Sequence, residues 1–296
     1  MTFSQTQTAH SQLRTLLILG RASNLPTVWS NCLAGWILGG GVQLGRLMVL
    51  CAGATFLYTG GMYLNDAFDA QFDLQHRPER PIPSGAIRAA TVWKWGLTWL
   101  LLGLISLSLL GKVATLLAVL LSISILVYDA IHKIFAFSPV LMAICRFFLV
   151  LLSASAAEEG GVTGGTSLSV WSALVLAAYI VGLSYLARNE STHAPLRYWP
   201  CVLLAAPVVL ALVVNQGGFQ RRGFLFGFVY VLWTLISMRH AFWTSQPNVG
   251  RTVSGLLAGI VLVDLLAVGG GTPAIGIIFA GLFVLALLFQ RVIPAT

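Results

Sequence analysis

Three aspartates at helical spacing stand in the segment 64–85, LNDAFDAQFDLQHRPERPIPSG. The chain has only nine acidic residues, and Asp66, Asp69 and Asp73 are three of them. In a continuous helix, the 100° step per residue places these side chains at about 0°, 300° and 340°, within one sector of about 60°. Carboxylates this close repel one another unless a cation compensates them. Oxygen ligands without histidine or thiolate favour a hard divalent ion, so the spacing predicts a magnesium site.

The residues that follow the aspartates carry positive charge. Arg77 and Arg80 lie in HRPERPIPSG, where the prolines keep the loop out of a helix. A guanidinium group can donate two parallel hydrogen bonds to a phosphate. Acids for a metal, followed at once by arginines for an anion, predict one ligand that needs both, a magnesium pyrophosphate. The alternative is a solvated acidic helix end that a basic loop neutralises.

The elements that must position these residues are membrane helices. Only 9% of residues are charged and 57% are hydrophobic, whereas about a quarter of residues are charged in an average soluble protein. A backbone exposed to lipid must satisfy its own hydrogen bonds, so we predict an all-α polytopic bundle of nine or ten transmembrane helices. The stretch VGGGT, 268–272, either separates a tenth span from the ninth or interrupts the last one. The apolar runs cover approximately 25–43, 47–65, 91–110, 112–131, 138–157, 168–187, 199–215, 222–238, 251–269 and 272–291.

The domain organisation is expected to be simple. No polar stretch is long enough to bury a soluble core, so residues 1–296 are predicted to form a single membrane domain. Residues 1–20 are polar and then briefly apolar, without a cleavage site after the apolar stretch. This pattern is typical of an interfacial N-terminal segment rather than a removed signal peptide. The lack of an evident transit peptide favours a bacterial plasma membrane over an organelle membrane.

The net charge of +8 is informative through its distribution between loops. With ten spans and a cytoplasmic N-terminus, twelve of the 17 Lys and Arg residues fall on the cytoplasmic side and four on the other, while Arg146 lies within a span. This bias predicts that the acidic segment faces the cytoplasm, and no nucleic-acid partner is expected. The four cysteines form no C-x-x-C pair, and the five histidines are scattered, which argues against disulfide and zinc sites.

Two motifs resemble those of a known family. NDAFDAQFD has the N-D-x-x-D-x-x-x-D form of the UbiA superfamily of intramembrane prenyltransferases, and RPERPIPSG resembles the R-x-x-R-P-[IL]-x-S-G element that follows it there. The N-terminal RASNLPTVWSNCLAGW and the number of spans extend the resemblance over the whole chain. The sequence is most similar to the UbiA-like branch called EboC. The resemblance implies a helical bundle that transfers a prenyl group, with Mg²⁺, from a prenyl pyrophosphate to an acceptor within the lipid bilayer.

The second acidic motif of that superfamily is altered here. Members usually carry D-x-x-x-D after the sixth span, whereas this chain has SYLARNESTHAP, with Glu190 as the only acid. The parity of the spans places this loop on the same membrane face as the first motif, so Glu190 and Arg188 are expected to complete the site. The missing acid leaves two hypotheses open. One is a prenyltransferase with one firmly held magnesium ion, and the other is a non-catalytic protein that binds or exports an isoprenoid.

Polar residues elsewhere in the spans complete the candidate set. Lys133, in LVYDAIHK, stands where the superfamily has a lysine that helps hold the pyrophosphate, although an ion pair with Asp129 at i, i+4 is the alternative. Arg146 is an intramembrane cation that could meet the diphosphate, an acceptor or Asp129. For Asp264 a structural contact is favoured. The set assigns catalytic roles to Asp66, Asp69, Asp73 and Lys133, metal binding to Asp66, Asp69, Asp73 and Glu190, and substrate binding to Asn65, Arg77, Arg80, Arg188, Glu190, Asn24, Arg21, Tyr128, Arg146 and Tyr185.

Overall fold

The computed structural model describes residues 12–157, 167–192, 198–214, 220–244, 247–269 and 271–294. This part of the chain is helical and contains no strand. A first helix, α1, covers 12–19 and a 3-10 turn covers Ala22–Asn24. The remaining helices are α2 (Leu25–Leu38), α3 (Leu44–Phe68), α4 (Ala70–His76), α5 (Ala89–Ser108), α6 (Lys112–Ile131), α7 (Ser138–Ala156), α8 (Ser167–Thr192), α9 (Trp199–Leu204), α10 (Ala206–Val214), α11 (Gln220–Phe242), α12 (Val249–Ala267) and α13 (Pro273–Val292).

The predicted all-α membrane bundle is confirmed. Within the described residues, eight helices are long and apolar enough to cross a membrane, namely α3, α5 to α8 and α11 to α13. The first predicted span corresponds to α2, which has 14 residues and starts with a proline in its first turn. The last span is a separate helix, α13, so 268–272 includes the boundary between α12 and α13.

One predicted span is divided in two. The run 199–215 forms α9 and α10, with a break at Ala205. Pro207 is the second residue of α10 and has no N–H to donate to the preceding turn. The helix therefore ends before the proline and restarts with it in the first turn, where a missing N–H costs little.

Close packing of α3 and α5 fixes the helix that carries the aspartates. A Cβ atom added to Gly60 on α3 would lie 2.8 Å from the backbone nitrogen of Leu100 and 2.9 Å from the carbonyl of Gly96. Small residues at such positions let two membrane helices approach to backbone contact. One hydrophobic cluster joins α3 and α5 to α2, α6 and α7. A second cluster joins α7 to the helices α8, α9, α10, α11 and α12. Helix α7 therefore packs in both halves of the bundle.

Several helix ends meet at one end of the bundle, which we call the polar end. Asn65 near the end of α3 contacts Asp129 near the end of α6, and Arg21 before α2 contacts the same α3 end. Arg188 in α8 donates to carbonyls in the α6–α7 connection. The Ser23 hydroxyl donates to the Pro294 carbonyl, so the chain after α13 also returns to this end. The spans are predicted to alternate in direction across the membrane, and these contacts agree with that alternation.

Candidate active site

The three aspartates lie where α3 gives way to α4. Asp69 is the residue between the two helices, with φ −78° and ψ −6°. Helical hydrogen bonds continue across it, because the Asp69 N–H donates to Asn65 O and the Asp73 N–H donates to Asp69 O, both at 2.9 Å. The nearly continuous helix keeps all three side chains at the polar end, where Asp66 and Asp69 are 6% exposed and Asp73 is 1% exposed.

Two predicted cations lie directly against these carboxylates. The Arg80 Nη1 atom is 2.9 Å from Asp66 Oδ1 and 3.7 Å from Asp73 Oδ2. The Lys133 Nζ atom is 3.1 Å from Asp69 Oδ2 and 3.9 Å from Asp73 Oδ1. Lys133 therefore pairs with the aspartates of α3 and α4 rather than with Asp129. Each of the three buried carboxylates therefore has a cation nearby, which offsets the free energy that a charge loses when it leaves water.

Arg21 reaches the cluster from the turn before α2. Its Nη2 atom donates to Asn65 Oδ1 at 3.2 Å and to Asp66 Oδ1 at 3.4 Å. Arg21 has φ 40°, which is a left-handed conformation that residues other than glycine rarely adopt. The other end of the Asn65 amide donates to Asp129 Oδ1 at 3.0 Å. Asn65 therefore links Arg21 to Asp129, and its amide orientation is defined by both contacts.

The sequence analysis missed His132. Its Nε2 atom lies 3.4 Å from Asp69 Oδ2, on the same oxygen that Lys133 contacts. Its ring stacks on Tyr128 with centroids 4.9 Å apart, which holds it at the end of α6. The histidines were judged by zinc spacing, whereas the informative signal was the position of His132 next to Lys133 in the last turn of a span.

The neighbouring aspartates differ in their electrostatics. Burial raises the pKa of Asp73 above its usual value, and the charges of Arg80 and Lys133 offset this only partly. Burial also raises the pKa of Asp69, but the hydrogen bonds and charges of His132 and Lys133 outweigh it, so the pKa of Asp69 lies below its usual value. Of these two carboxylates, Asp73 is thus the one whose anion the protein compensates less.

The cluster fits a hard divalent cation in the type of its donors. Asp73 Oδ1 is buried and has no hydrogen-bond partner among the described residues, although Lys133 Nζ lies 3.9 Å away. Buried polar atoms without partners are few and call for an explanation such as a ligand. Among the described residues no three His, Cys, Asp or Glu side chains already converge on one point. The carboxylates are directed at Arg80 and Lys133, so metal binding requires these cations to move to another anion.

An apolar cavity adjoins the cluster. It contains about 570 Å³ of empty space, including the part that is open to the surroundings. Tyr128 and Asp129 line it from the last turn of α6, so the cavity begins beside the polar end. Its other walls come from α2, α3, α6 and α7, through Val28, Ala54, Leu57, Tyr58, Gly61, Met62, Leu121, Ile125, Met142, Cys145, Arg146 and Leu149.

Arg146 lies in the cavity wall but does not reach the aspartates. Its guanidinium donates to Asn31 Oδ1 at 2.6 Å and to Thr27 Oγ1 at 3.1 Å, both on α2. The possible pairing of Arg146 with Asp129 is wrong, because these two α2 residues hold the guanidinium. Asn31 Nδ2 in turn donates to Asp264 Oδ2 at 2.7 Å. Asp264 thus makes a buried contact between α12 and α2, as favoured from the sequence.

The remaining predicted residues of the N-terminal half lie near the cluster. Asn24 is 5% exposed and belongs to the turn that carries Arg21. Arg77 is half-buried and forms no ion pair with a described residue. The pKa of Arg80 is lowered mainly by burial, then by the charge of Arg21, and to a smaller extent by the charge of Arg77. Tyr128 is both a wall of the cavity and the stacking partner of His132.

The predicted residues of α8 are placed differently. Arg188 donates to the carbonyls of Phe135 and Ala136 at 3.4 and 2.6 Å, and Tyr185 packs edge-on against Trp199 at 4.7 Å. The described contacts therefore do not bring Arg188 or Tyr185 to the aspartates. The side chain of Glu190 lies outside the described part of the structure, so its predicted role as a metal ligand stays a prediction.

Comparison with known proteins identifies the family. The model of the UbiA prenyltransferase family matches residues 24–253. The chain belongs to the UbiA prenyltransferase family. This match covers the acidic cluster and the cavity of this UbiA-family protein. The finer EboC-like assignment stays a prediction.

Solved structures with the same fold come from UbiA homologues. The apo homologue of Aeropyrum pernix K1 has a TM-score of 0.66 and 17% identity, over 85% of this chain and 98% of that chain. The homologue of Archaeoglobus fulgidus bound to GPP and Mg²⁺ has a TM-score of 0.59 and 14% identity, over 94% of this chain and 99% of that chain. At these identities the likeness shows the fold alone.

Curated relatives match a shorter part of this UbiA-family protein. Digeranylgeranylglyceryl phosphate synthase of Ignicoccus hospitalis is 39% identical over 117 residues, which is 38% of this chain and 38% of the relative. The enzyme of the same name from Methanothrix thermoacetophila is 33% identical over 118 residues, 39% of this chain and 44% of the relative. The matches thus span less than half the length of these relatives.

Proposed function

We propose that this UbiA-family protein transfers a prenyl group from a prenyl pyrophosphate to an acceptor within the membrane, with Mg²⁺. The observation that carries the proposal is the position of three buried carboxylates and their cations at one end of an apolar cavity. A prenyl pyrophosphate has the matching shape, with an anionic head and an apolar tail. The names of the curated relatives, and the GPP and Mg²⁺ in one structural neighbour, support this choice.

The acidic residues supply the ligands for the metal. Asp66, Asp69 and Asp73 would hold Mg²⁺, with Glu190 as a further ligand. When bound, Mg²⁺ neutralises charge on the pyrophosphate and makes it a better leaving group. Arg80 and Lys133, which lie against the carboxylates, would be available to the pyrophosphate oxygens if Mg²⁺ neutralised those carboxylates.

The cations act on the leaving group. The cations Arg21, Arg80 and Lys133 converge on the aspartates from three separate segments of the chain, and the His132 ring lies beside Asp69. Donors fixed in this way stabilise the charge that develops as the C–O bond of the pyrophosphate breaks. The apolar cavity holds the prenyl tail and excludes water from the allylic cation, and the ring of Tyr128 in its wall can stabilise that cation.

We place the whole chain in the membrane as one domain, with the polar end on the cytoplasmic side. The twelve-to-four distribution of Lys and Arg supports this orientation. The pyrophosphate would then enter from the compartment in which soluble prenyl pyrophosphates and Mg²⁺ are found. The relatives named above come from archaea, so they do not support the expectation of a bacterial membrane.

A second candidate function is binding or export of an isoprenoid without transfer. Two observations favour it. Glu190 is the only acid in the second motif, and the described carboxylates are directed at cations instead of converging on one point. A protein of this kind would bind a prenyl pyrophosphate with Mg²⁺ and form no product.

Calorimetry on the detergent-purified protein tests both functions. Geranylgeranyl thiolopyrophosphate, which resists cleavage, is titrated with and without Mg²⁺ into wild type, Asp69→Asn and Glu79→Gln. Glu79 is an exposed acid in the same segment, so Glu79→Gln is the matched control for lost charge. We expect binding that requires Mg²⁺ and is lost only in Asp69→Asn.

Turnover of geranylgeranyl pyrophosphate by the same three proteins separates transfer from binding. Prenylated product from wild type excludes the second candidate, and Mg²⁺-dependent binding without product supports it. Equal binding by wild type and Asp69→Asn would show that the cluster is not the pyrophosphate site.

A further inference from the structure

Asp129 lies at the border between the acidic cluster and the cavity. It is in the last turn of α6, it is 3% exposed, and it belongs to the cavity wall. It accepts a hydrogen bond from Asn65, the residue that precedes Asp66. Nothing in the roles described so far requires a carboxylate here. An acid in an otherwise apolar wall is costly unless it has a partner or a function.

The two oxygens of Asp129 are not equivalent. Oδ1 accepts a hydrogen bond from Asn65 Nδ2 at 3.0 Å. Oδ2 is buried and has no hydrogen-bond partner among the described residues. Asn65 cannot turn its amide to serve Oδ2, because its own Oδ1 accepts from Arg21 at 3.2 Å. The protein therefore holds the carboxylate by one oxygen and leaves the other without a donor.

The position of the reacting carbon follows from the proposed function, on which this inference rests. The pyrophosphate lies at Asp66, Asp69 and Asp73, and the tail lies among the apolar walls. The C1 atom joins the two, so it must lie where the cluster meets the cavity. Asp129 and Tyr128 are among the wall residues at that point, because Asp129 contacts Asn65, and the attacking group of the acceptor must also arrive there.

We propose that Asp129 is the catalytic base that accepts the proton of a hydroxyl-bearing acceptor through Oδ2. The acceptor hydroxyl donates to Oδ2 and supplies the donor that this oxygen lacks. The C1–O bond of the prenyl pyrophosphate breaks, and its electron pair leaves with the pyrophosphate. A lone pair of the acceptor oxygen forms the new C1–O bond, and the hydroxyl proton passes to Asp129, which later releases it to water. An acceptor that presented an anion to Oδ2 would be repelled.

Asp129→Asn is the informative variant because it separates proton transfer from structure. Its amide oxygen can still accept from Asn65, so the contact with Arg21 is kept, but the amide cannot take up a proton. The control is Ser122→Ala, seven residues earlier on α6. Ser122 is also buried, and among the described residues its hydroxyl donates only to the Ala118 carbonyl of the same helix.

The assay uses geranylgeranyl pyrophosphate with Mg²⁺, and geranylgeranylglyceryl phosphate as an alcohol or hydroquinone as a phenol. We expect Asp129→Asn to lower prenylation about 100-fold or more, the size of effect that general bases have, with unchanged binding of geranylgeranyl thiolopyrophosphate. Ser122→Ala should prenylate like wild type. Formate should partly restore prenylation by Asp129→Ala, because it replaces the lost base, which a purely structural role would not allow.

The possible failures are distinguishable. Prenylation by Asp129→Asn at the wild-type rate would overturn the inference and leave the proposed function intact. Wild type that consumes the donor without prenylating either hydroxyl compound would overturn the acceptor class, and the inference with it. Wild type that binds but never consumes the donor would refute the proposed function itself.

Discussion

Replacing Lys133 by methionine should affect metal binding and turnover in opposite directions. Lys133 Nζ lies 3.1 Å from Asp69 Oδ2 and 3.9 Å from Asp73 Oδ1. It therefore stands where a metal would have to approach these two carboxylates. Methionine has a similar length and no charge. The substitution removes the competing cation, but it also removes a group that would stabilise the leaving pyrophosphate.

The distances set the expected magnitude. At 3.1 Å, Coulomb's law gives about 5 kcal/mol for an effective dielectric constant of about 20 and about 1 kcal/mol in bulk water. The Lys133 side chain is 28% exposed, so solvent screening brings the value toward the lower figure. A net effect of about 1.4 to 2 kcal/mol corresponds to a metal affinity about 10 to 30 times higher. The loss of one stabilising charge in the transition state slows transfer about 100-fold.

Manganese serves as the probe of the metal site. Mn²⁺ is titrated into the detergent-solubilised protein without donor, by electron paramagnetic resonance, for wild type, Lys133→Met and Lys112→Met. Lys112 begins the same helix at its other end, so Lys112→Met is the control for lost charge. Tighter Mn²⁺ binding with slower prenyl transfer in Lys133→Met alone is expected. Weaker or unchanged Mn²⁺ binding would refute the idea that Lys133 occupies the place of the metal.

Three further predictions concern the bundle and the cavity. Asp264→Leu should lower the free energy of unfolding in detergent by about 2 to 4 kcal/mol, because it leaves the buried Nδ2 donor of Asn31 without its acceptor; an unchanged melting temperature would contradict this. Gly60→Ala should destabilise the protein by about 1 to 3 kcal/mol, since its Cβ would lie 2.8 Å from the Leu100 nitrogen; a wild-type melting curve would show that α3 and α5 can move apart. Ala54→Phe should weaken binding of geranylgeranyl pyrophosphate and spare dimethylallyl pyrophosphate, because Ala54 lines the cavity about 18 Å along α3 from Asp66; equal losses in calorimetry would place the tail elsewhere.

The sequence predicted the elements well where the signal is local. Long apolar runs with few charges gave most spans within a few residues, and the spacing of Asp66, Asp69 and Asp73 predicted their common location. The division of 199–215 was missed, although Pro207 was visible, because hydropathy does not register a missing backbone donor.

Contacts between helices were harder to predict. Arg146 pairs with Thr27 and Asn31 on α2 rather than with Asp129. The described contacts of Arg188 and Tyr185 are with the α6–α7 connection and Trp199 rather than with the aspartates. Which residues of two helices meet depends on their rotation and crossing angle, which spacing along one helix does not contain. Lys133 was predicted from the UbiA resemblance, because the pattern of α6 alone does not show that Lys133 contacts Asp69.

The order in which the charged residues of the polar end are synthesised has a consequence for membrane insertion. The ion pairs among the described residues of the polar end join residues between Arg21 and Lys133, so all members of these pairs are synthesised before α8. A nascent chain with α7 inserted thus already contains the counter-charges for Asp66, Asp69 and Asp73. The later helices include α12, which packs against α2 through the contact between Asp264 and Asn31. Truncation after α7 would therefore leave the aspartates neutralised but Asn31 on α2 without Asp264. Such a chain would be inserted in the membrane, and its exposed polar group would still allow quality control to recognise it.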